Sequence, residues 1–127
     1  MKILLLSHPI TIEPDHEESF GAYPPLGLAY MAAMLEKKGY EVKIIDCFAE
    51  GLHIKQQRGQ KIKIGLKDES ILIQIREFIP DIVGISNNFT TFYKDASDLA
   101  LLIKTKFPEI LLVGGGNHIS QEHEKIM

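Results

Sequence analysis

Short apolar runs alternate with longer amphipathic segments along most of the chain. Residues 2 to 7 form a continuous apolar run, which is typical of a strand covered on both faces of a parallel sheet. Further runs at residues 40 to 47, 80 to 86 and 110 to 113 predict a second, a third and a fourth strand. The pattern therefore predicts a parallel sheet of at least four strands.

Three segments between these strands carry apolar residues at helical spacing. The segment that follows Pro25 stops at Gly39, a residue type common just after helices, and has Lys residues in its last turn. Its apolar positions are Leu28, Met31, Ala32 and Leu35. Residues 68 to 79 and 91 to 107 predict two more helices. Strict alternation of strands and helices predicts an α/β fold, a doubly wound sheet built from right-handed βαβ crossovers.

Two segments interrupt this alternation. Residues 8 to 23 are polar and turn-rich and show neither period, so we interpret them as a long loop. Residues 50 to 67 are basic, and we interpret them as a surface excursion with a small hairpin around Gly59. Their Lys and Arg side chains are expected to form a solvated face rather than a binding patch.

Composition limits the classes of function. The 127 residues, 45% of them hydrophobic, suit one domain with one core. A formal net charge of -3 argues against nucleic-acid binding through the phosphate backbone. No apolar run reaches the roughly 20 residues of a membrane span, and the apolar start is too short for a signal peptide. A single cysteine, Cys47, cannot form an internal disulfide. We therefore predict a cytoplasmic protein without a membrane partner.

The C-terminal part of the chain is short for this fold class. A doubly wound sheet usually has at least five strands, whereas the fourth apolar run is followed only by residues 114 to 127. We expect residues 1 to 127 to be one N-terminal domain of a longer protein. A fifth strand and its helix would then be missing from this chain.

The loops that follow three of the strands concentrate small polar residues and glycine. Because the carboxyl ends of parallel strands meet at one edge, where doubly wound sheets bind their ligands, these loops are expected to form one site. The candidate binding residues are Ser7, His8 and Pro9 after the first strand, Ser86, Asn87, Asn88 and Thr90 after the third, and Gly114, Gly115, Gly116, Asn117 and His118 after the fourth.

Each of these loops also has a simpler interpretation. The polar residues after the third strand could cap the following helix, although one cap would be enough for that purpose. Three consecutive glycines could serve only to make a turn. His8 and His118 are equally compatible with exposed loop histidines that have no role.

Other kinds of site are disfavoured. No GxGxxG motif is present, which argues against a nicotinamide cofactor. The run Asp15, His16, Glu17 and Glu18 is consecutive, so its side chains cannot easily converge on one metal ion. No nucleophile can be paired with a base, and one cysteine cannot hold an iron–sulfur cluster. We predict no catalytic residue and no metal ligand in this chain.

Three stretches carry a combined pattern: KILLLSHP, YPPLGLAYMAAMLEKKGYEVKIID and PDIVGISNNFTTFYKDASDLALLIKTKFPEILLVGGGNHIS. In this order they resemble the cobalamin-binding domain that precedes the catalytic domain in many B12-dependent radical S-adenosylmethionine enzymes. The resemblance covers nearly the whole chain. It implies a flavodoxin-like, Rossmann-like sheet of order 2-1-3-4, with the corrin ring against its carboxyl edge and the nucleotide tail beside the sheet.

The resemblance also implies roles for the candidate residues. Ser86 and Thr90 match the small polar residues that meet the tail or the ring. The glycines at 114 to 116 match those that leave space for the tail, with Asn117, His118 and Ser120 beside it. Ser7, His8 and Pro9 would approach the same ligand from the first strand.

Two family motifs are missing. Methionine synthase and the mutases have a similar domain with an Asp-x-His-x-x-Gly motif whose histidine binds cobalt. Here the nearest stretch is DHEESFG, in which His16 directly follows Asp15, so we expect no histidine ligand from the protein. The CxxxCxxC motif of the radical domain is also absent. S-adenosylmethionine and an iron–sulfur cluster would therefore belong to a downstream radical domain, the expected partner of this chain.

The sequence thus favours a cobalamin-binding module that positions the cofactor, as a methyl carrier, for a radical S-adenosylmethionine enzyme. The alternative is a vestigial domain of the same family that serves as a structural or docking module. A receiver domain is less favoured, because the first strand ends in SHP rather than in an acidic pair. A flavodoxin-like electron carrier is less favoured because the first loop lacks a Thr/Ser-Gly phosphate cradle.

Overall fold

The computed structural model describes residues 1–14, 26–86 and 93–115. Its strands are β1 (Lys2–Ser7), β2 (Ile10–Ile12), β3 (Glu41–Asp46), β4 (Lys55–Arg58), β5 (Lys61–Ile64), β6 (Ile82–Ser86) and β7 (Leu111–Gly115). Its helices are α1 (Leu26–Lys37), α2 (Cys47–Glu50), α3 (Asp68–Phe78) and α4 (Tyr93–Lys106). The four predicted strands correspond to β1, β3, β6 and β7, and the three predicted helices to α1, α3 and α4.

The four main strands form one parallel sheet of order β3-β1-β6-β7. This order confirms the predicted 2-1-3-4 arrangement and the flavodoxin-like fold class. The chain moves from β1 to one side to form β3 and later returns to the other side of β1 to form β6. The strand order therefore reverses between β1 and β6, the position at which such sheets bind ligands.

Most of the hydrophobic core lies on the face of the main sheet that is covered by α3 and α4. Side chains alternate between the two faces of a strand, so Leu4 and Leu6 of β1 point to this face. There they pack in one buried cluster with Ile71 and Ile75 of α3 and with Ile103 of α4. This face is closed, and we refer to it as the closed face.

The opposite face is covered by α1, which packs mainly against β3 and β1. Leu28 and Ala32 of α1 form a smaller buried cluster with Ile3 and Leu5. The same face continues across β6 and β7, where Leu111 is 59% exposed and Val113 47% exposed. Parallel sheets are usually covered on both faces, so this part of the sheet is unusually open.

A second sheet of three antiparallel strands, in the order β2-β5-β4, is added to the main fold. We call it the accessory sheet. The predicted hairpin around Gly59 forms its β4–β5 turn, and Gly59 has φ +64°, a left-handed conformation that glycine adopts readily. Lys55, Arg58 and Lys61 are exposed on it. Lys63 is instead half-buried, and its Nζ lies 3.5 Å from Oδ1 of Asp68.

Two local predictions were wrong. Residues 10 to 12 were assigned to a loop but form β2, because Ile10 and Ile12 face an apolar cluster with Phe48 and Ile64. Three residues are too few to show a strand period in the sequence. Cys47 was assigned to the second strand but begins α2, a single turn in which the carboxylate of Asp46 accepts a hydrogen bond from the amide of Ala49.

Within the described ranges, no helix combines the length and the apolar character needed to cross a membrane.

Candidate functional site

The carboxyl ends of the four parallel strands lie in one row. Asp46, Ser7, Ser86 and Gly115 are direct register partners across β3, β1, β6 and β7. We call these four residues the edge row. Since register partners in a parallel sheet point to the same face, the three side chains of the edge row point to the face that carries α1. The three loops that the sequence singled out therefore start next to one another.

The β3 and β1 ends of the edge row are joined by a hydrogen bond. The hydroxyl of Ser7 donates to Oδ1 of Asp46 at 2.7 Å, and the same oxygen accepts from the amide of Ala49 at 3.1 Å. Asp46 was not among the predicted site residues. An acidic residue directly after an apolar run was the available signal. Its carboxylate orients the Ser7 hydroxyl and caps α2, while the Ser7 oxygen can still accept a hydrogen bond.

His8 and Pro9 follow the edge row and are both buried. His8 is 8% exposed, and its Nδ1 lies 2.7 Å from the carbonyl oxygen of Pro9. Because a carbonyl can only accept, Nδ1 carries the proton of this hydrogen bond. His8 is therefore not an exposed loop histidine. Contact of His8 and Pro9 with a ligand stays a prediction.

Gly114 and Gly115 belong to β7 rather than to a turn. The turn interpretation of the glycine run is therefore wrong for these two positions. Gly115 lies opposite Ser86, so the end of β7 adds no side chain beside the Ser86 hydroxyl. The remaining predicted binding residues lie outside the described residues; they are Asn87, Asn88, Thr90, Gly116, Asn117 and His118.

An open strip runs from the edge row down the face that carries α1. Its floor is formed by Gly84, Leu111 and Val113, of which Gly84 and Val113 are register partners. A Cβ atom at Gly84 would lie 3.1 Å from Cδ2 of Leu5, tighter than an ordinary contact. Glycine at this position therefore leaves room for the side chain of Leu5. From residue 111 to residue 115 the strip is about 13 Å long, at roughly 3.3 Å per strand residue.

The accessory sheet stands beside the same edge. Between it and the first turns of α3 and α4 lies a polar cavity of about 240 Å³. The cavity is lined by Pro9, Arg58, Lys63, Asp68, Asp95, Asp98 and Leu99. Positively and negatively charged side chains are mixed in this lining. The cavity therefore does not have the uniform potential that a highly charged ligand would need.

Cys47 follows the edge row at the end of β3 and is fully buried. Burial, together with the nearby carboxylates of Glu50 and Asp46, raises the pKa of its thiol far above the ordinary value. The thiol is therefore neutral near physiological pH and is a poor nucleophile and metal ligand. Among the described residues, no group of three His, Cys, Asp or Glu side chains is placed to hold a metal ion.

Comparison with known proteins identifies a family for this arrangement. The B12 binding domain matches residues 17–127 of the chain. Cytidylyl-2-hydroxyethylphosphonate methyltransferase of Streptomyces wedmorensis is 42% identical over 120 residues, which cover 92% of this chain and 22% of that protein. An uncharacterized methyltransferase of Pyrococcus horikoshii is 35% identical over 128 residues, which cover 100% of this chain and 24% of that protein.

The match to these relatives is confined to one part of them. The chain spans about a quarter or less of the length of the two methyltransferases. The family match, in contrast, extends over most of the chain, from residue 17 onward, and includes β3, β6, β7 and three of the four residues of the edge row. The chain belongs to the B12 binding domain family.

Proposed function

We propose that this chain binds cobalamin at the carboxyl edge of the main sheet, with the corrin ring above the edge row and the nucleotide tail in the open strip. The observation that carries the proposal is the alignment of Ser7, Ser86 and Gly115 directly above a strip of exposed sheet. Membership of the B12 binding domain family supports it. The similarity to the two methyltransferases does not identify individual residues of this site.

The edge row fits a large flat ligand because three of its four residues are small. Ser7 and Ser86 carry short hydroxyl side chains and Gly115 carries none. No bulky group of these three residues would hold a planar ring away from the sheet. The two hydroxyl groups can each donate to or accept from polar groups on the ligand. Asn87, Asn88, Thr90, Asn117 and His118 remain predicted contacts of the same ligand.

The open strip fits the tail because it offers an apolar floor with a polar end. Val113 and Leu111 supply exposed apolar surface, and Gly84 beside them carries no side chain. Ser86 ends the strip at the edge row. Covering Leu111 and Val113 would stabilise the complex, since apolar surface removed from water contributes about 25 cal/mol per Å².

The chemistry that bound cobalamin supplies is that of a cobalt centre able to carry a methyl group, and the protein's part is to place the cofactor. Ser7, oriented by Asp46, and Ser86 would position the ring, while the strip would hold the tail and exclude water from it. The Asp-x-His-x-x-Gly motif, whose histidine binds cobalt in similar domains, is missing from this chain. We therefore propose that no histidine of this chain binds the cobalt.

The wider role that we propose is the cobalamin-binding part of a methyltransferase. Both relatives named above are methyltransferases, and each is several times longer than this chain. A downstream radical domain with S-adenosylmethionine and an iron–sulfur cluster remains our prediction for the rest of such a protein. Its support is the sequence resemblance alone.

Retention of cobalamin tests the proposal directly. The chain is mixed with hydroxocobalamin and desalted, and the corrin absorption bands that stay with the protein are measured. Gly84→Val places a branched side chain on the floor of the open strip, and Val113→Phe enlarges an exposed side chain there. We expect the wild type to retain the corrin and both variants to retain at least tenfold less.

Two controls make this test specific. Ala33→Val introduces the same valine side chain at an exposed position of α1 and should leave retention unchanged. Thermal unfolding shows whether each variant is folded, and Val113→Phe remains informative if Gly84→Val does not fold. Absence of corrin bands from the folded wild type would contradict the proposal. That result would favour a vestigial structural or docking module.

A further inference from the structure

One buried carboxylate has no place in the binding site as described so far. Asp95 lies in the first turn of α4 and is only 9% exposed. A buried carboxylate is costly unless hydrogen bonds satisfy it. Its neighbours Ala96, Leu99 and Ile103 already provide the apolar packing of α4 against the closed face. Packing of α4 therefore does not explain why a carboxylate is buried at this position.

Both oxygens of Asp95 are bound by one residue of the accessory sheet. The amide of Thr11 donates to Oδ2 at 2.8 Å, and the hydroxyl of Thr11 donates to Oδ1 at 2.6 Å. We call this pair of hydrogen bonds the clamp. Hydrogen bonds to a charged acceptor are stronger than those between neutral groups. The positive end of the α4 dipole also stabilises a carboxylate at this position.

The clamp joins the two segments that leave the centre of the edge row. Thr11 is four residues beyond Ser7, in the strand that directly follows β1, and Asp95 is nine residues beyond Ser86, in the helix that follows β6. β1 and β6 are the neighbours between which the strand order reverses. The clamp therefore links the two segments that leave β1 and β6, the strands on either side of the proposed ligand position.

The accessory sheet is also attached to the end of β3. The amide of Leu66 donates to the carbonyl of Cys47 at 2.8 Å, and Ile12 and Ile64 pack against Phe48 of α2. Gly65 has φ +138°, and a Cβ there would lie 2.8 Å from the Cys47 carbonyl oxygen. Close contact thus fixes one side of the accessory sheet. Among the described residues, the side-chain hydrogen bonds that join it to α4 are those of the clamp.

We propose that Asp95 is a positioning residue for ligand binding. Its carboxylate holds the accessory sheet against α4 and so fixes the spacing between the segments that leave β1 and β6. Beside Asp95, the polar cavity of about 240 Å³ lies between the accessory sheet and α4. Tight apolar packing therefore does not join these two elements there, and the clamp does. The inference rests on the proposed cobalamin site for its functional consequence, whereas the clamp itself can be measured without a ligand.

Four variants of the chain test this proposal. Thr11→Val removes the hydroxyl donor and keeps the shape, whereas Thr11→Ser keeps the donor. Asp95→Asn turns one acceptor into a donor. Asp98→Asn is the matched control, because Asp98 is on the same helix but is exposed and paired with Lys94 at 3.0 Å. Two quantities are measured: amide hydrogen exchange along the chain, and the rate at which bound hydroxocobalamin is released.

We expect Thr11→Val and Asp95→Asn to speed exchange of the β2 amides by roughly tenfold. Thr11→Val leaves one buried carboxylate oxygen unsatisfied, and Asp95→Asn places an NH2 donor against a Thr11 donor. The amides of β1, β3 and β6 should exchange as in the wild type. Release of cobalamin should become faster by a similar factor. Thr11→Ser and Asp98→Asn should match the wild type in both measurements.

Each other outcome has a defined meaning. If wild-type chain retains no cobalamin, the proposed function fails, and local exchange in β2 alone still decides whether the clamp exists. Unchanged β2 exchange in Thr11→Val and Asp95→Asn would overturn the clamp. Equal acceleration of exchange in β2 and in the main sheet would show that Asp95 supports overall stability, which also overturns a positioning role. So would local acceleration in β2 with an unchanged rate of cobalamin release.

Discussion

The two faces of the main sheet differ in how completely they are covered. On the closed face, α3 and α4 bury a continuous cluster that includes Leu4, Ile71 and Ile103, each at most 1% exposed. On the other face, α1 covers β3 and β1 and leaves Leu111 and Val113 exposed. The closed face supplies most of the buried apolar area. Among the described residues, the open strip supplies little of it and is the part of the sheet where we propose that a ligand binds.

The largest expected effect comes from truncating matched leucines on the two faces. Leu4→Ala removes a side chain that is fully buried on the closed face and should lower the free energy of unfolding by about 3 kcal/mol. Leu111→Ala shortens a side chain that is 59% exposed and should change it by less than about 0.5 kcal/mol. Urea unfolding measures both values. Equal losses would show that the open strip is part of the core.

The next largest effect is a dependence of stability on pH, which tests whether water reaches the buried cluster of the closed face. Cys47 belongs to its buried cluster, and burial raises the pKa of this thiol far above the ordinary value of 9.0. The thiol therefore ionises in the unfolded chain before it ionises in the folded one. Its stabilising contribution is complete below pH 9 and is lost as pH rises above that value, by up to about 1.4 kcal/mol per pH unit.

Comparison with Cys47→Ala isolates this contribution from other groups that titrate at high pH. Unfolding free energies of both proteins are measured at pH 8 and pH 10. We expect the wild type to lose more stability than the variant over this interval. An identical loss in both proteins would mean that water reaches the thiol and that the closed face is not dry at this end of β3.

A smaller effect is expected at Asp46, in the edge row at the carboxyl edge of the main sheet. Asp46→Ala removes the cap of α2 and the acceptor for the Ser7 hydroxyl. Loss of a helix cap costs about 1 kcal/mol, so a modest fall in stability is expected. Asp46→Asn keeps one side-chain oxygen as an acceptor and should lose less. If cobalamin retention fell in Asp46→Ala but not in Asp46→Asn, the orientation of Ser7 would be shown to matter for binding.

The sequence was sufficient for the main sheet because its strands are continuous apolar runs separated by clear helical periods. β1 and β6 appear in this way, and their last residues, Ser7 and Ser86, lie side by side at one edge. The sequence could not show which part of a face is left uncovered. Leu111 and Val113 are apolar like buried strand residues, and only the position of α1 relative to β7 reveals their exposure.

The accessory sheet was harder to predict for two physical reasons. β2 has three residues, so its period is invisible, and it is stabilised by pairing with β5, about fifty residues away in the chain. Asp95 and Thr11 are separated by 84 residues. An aspartate in the first turn of a helix is common, and its burial under a distant threonine leaves no local signal. Contacts of this kind depend on the assembled fold.

The two ends of the β4–β5 excursion are held together by direct backbone contact. A Cβ at Gly51 would overlap with the backbone of Gly65 and Leu66, so neither a larger residue nor a shifted path is tolerated there. The turn at Gly59 has no atom within 4 Å of an added Cβ. Natural relatives should therefore vary in length at this turn while keeping small residues at its base. The same turn offers a place to insert a reporter peptide without disturbing the domain.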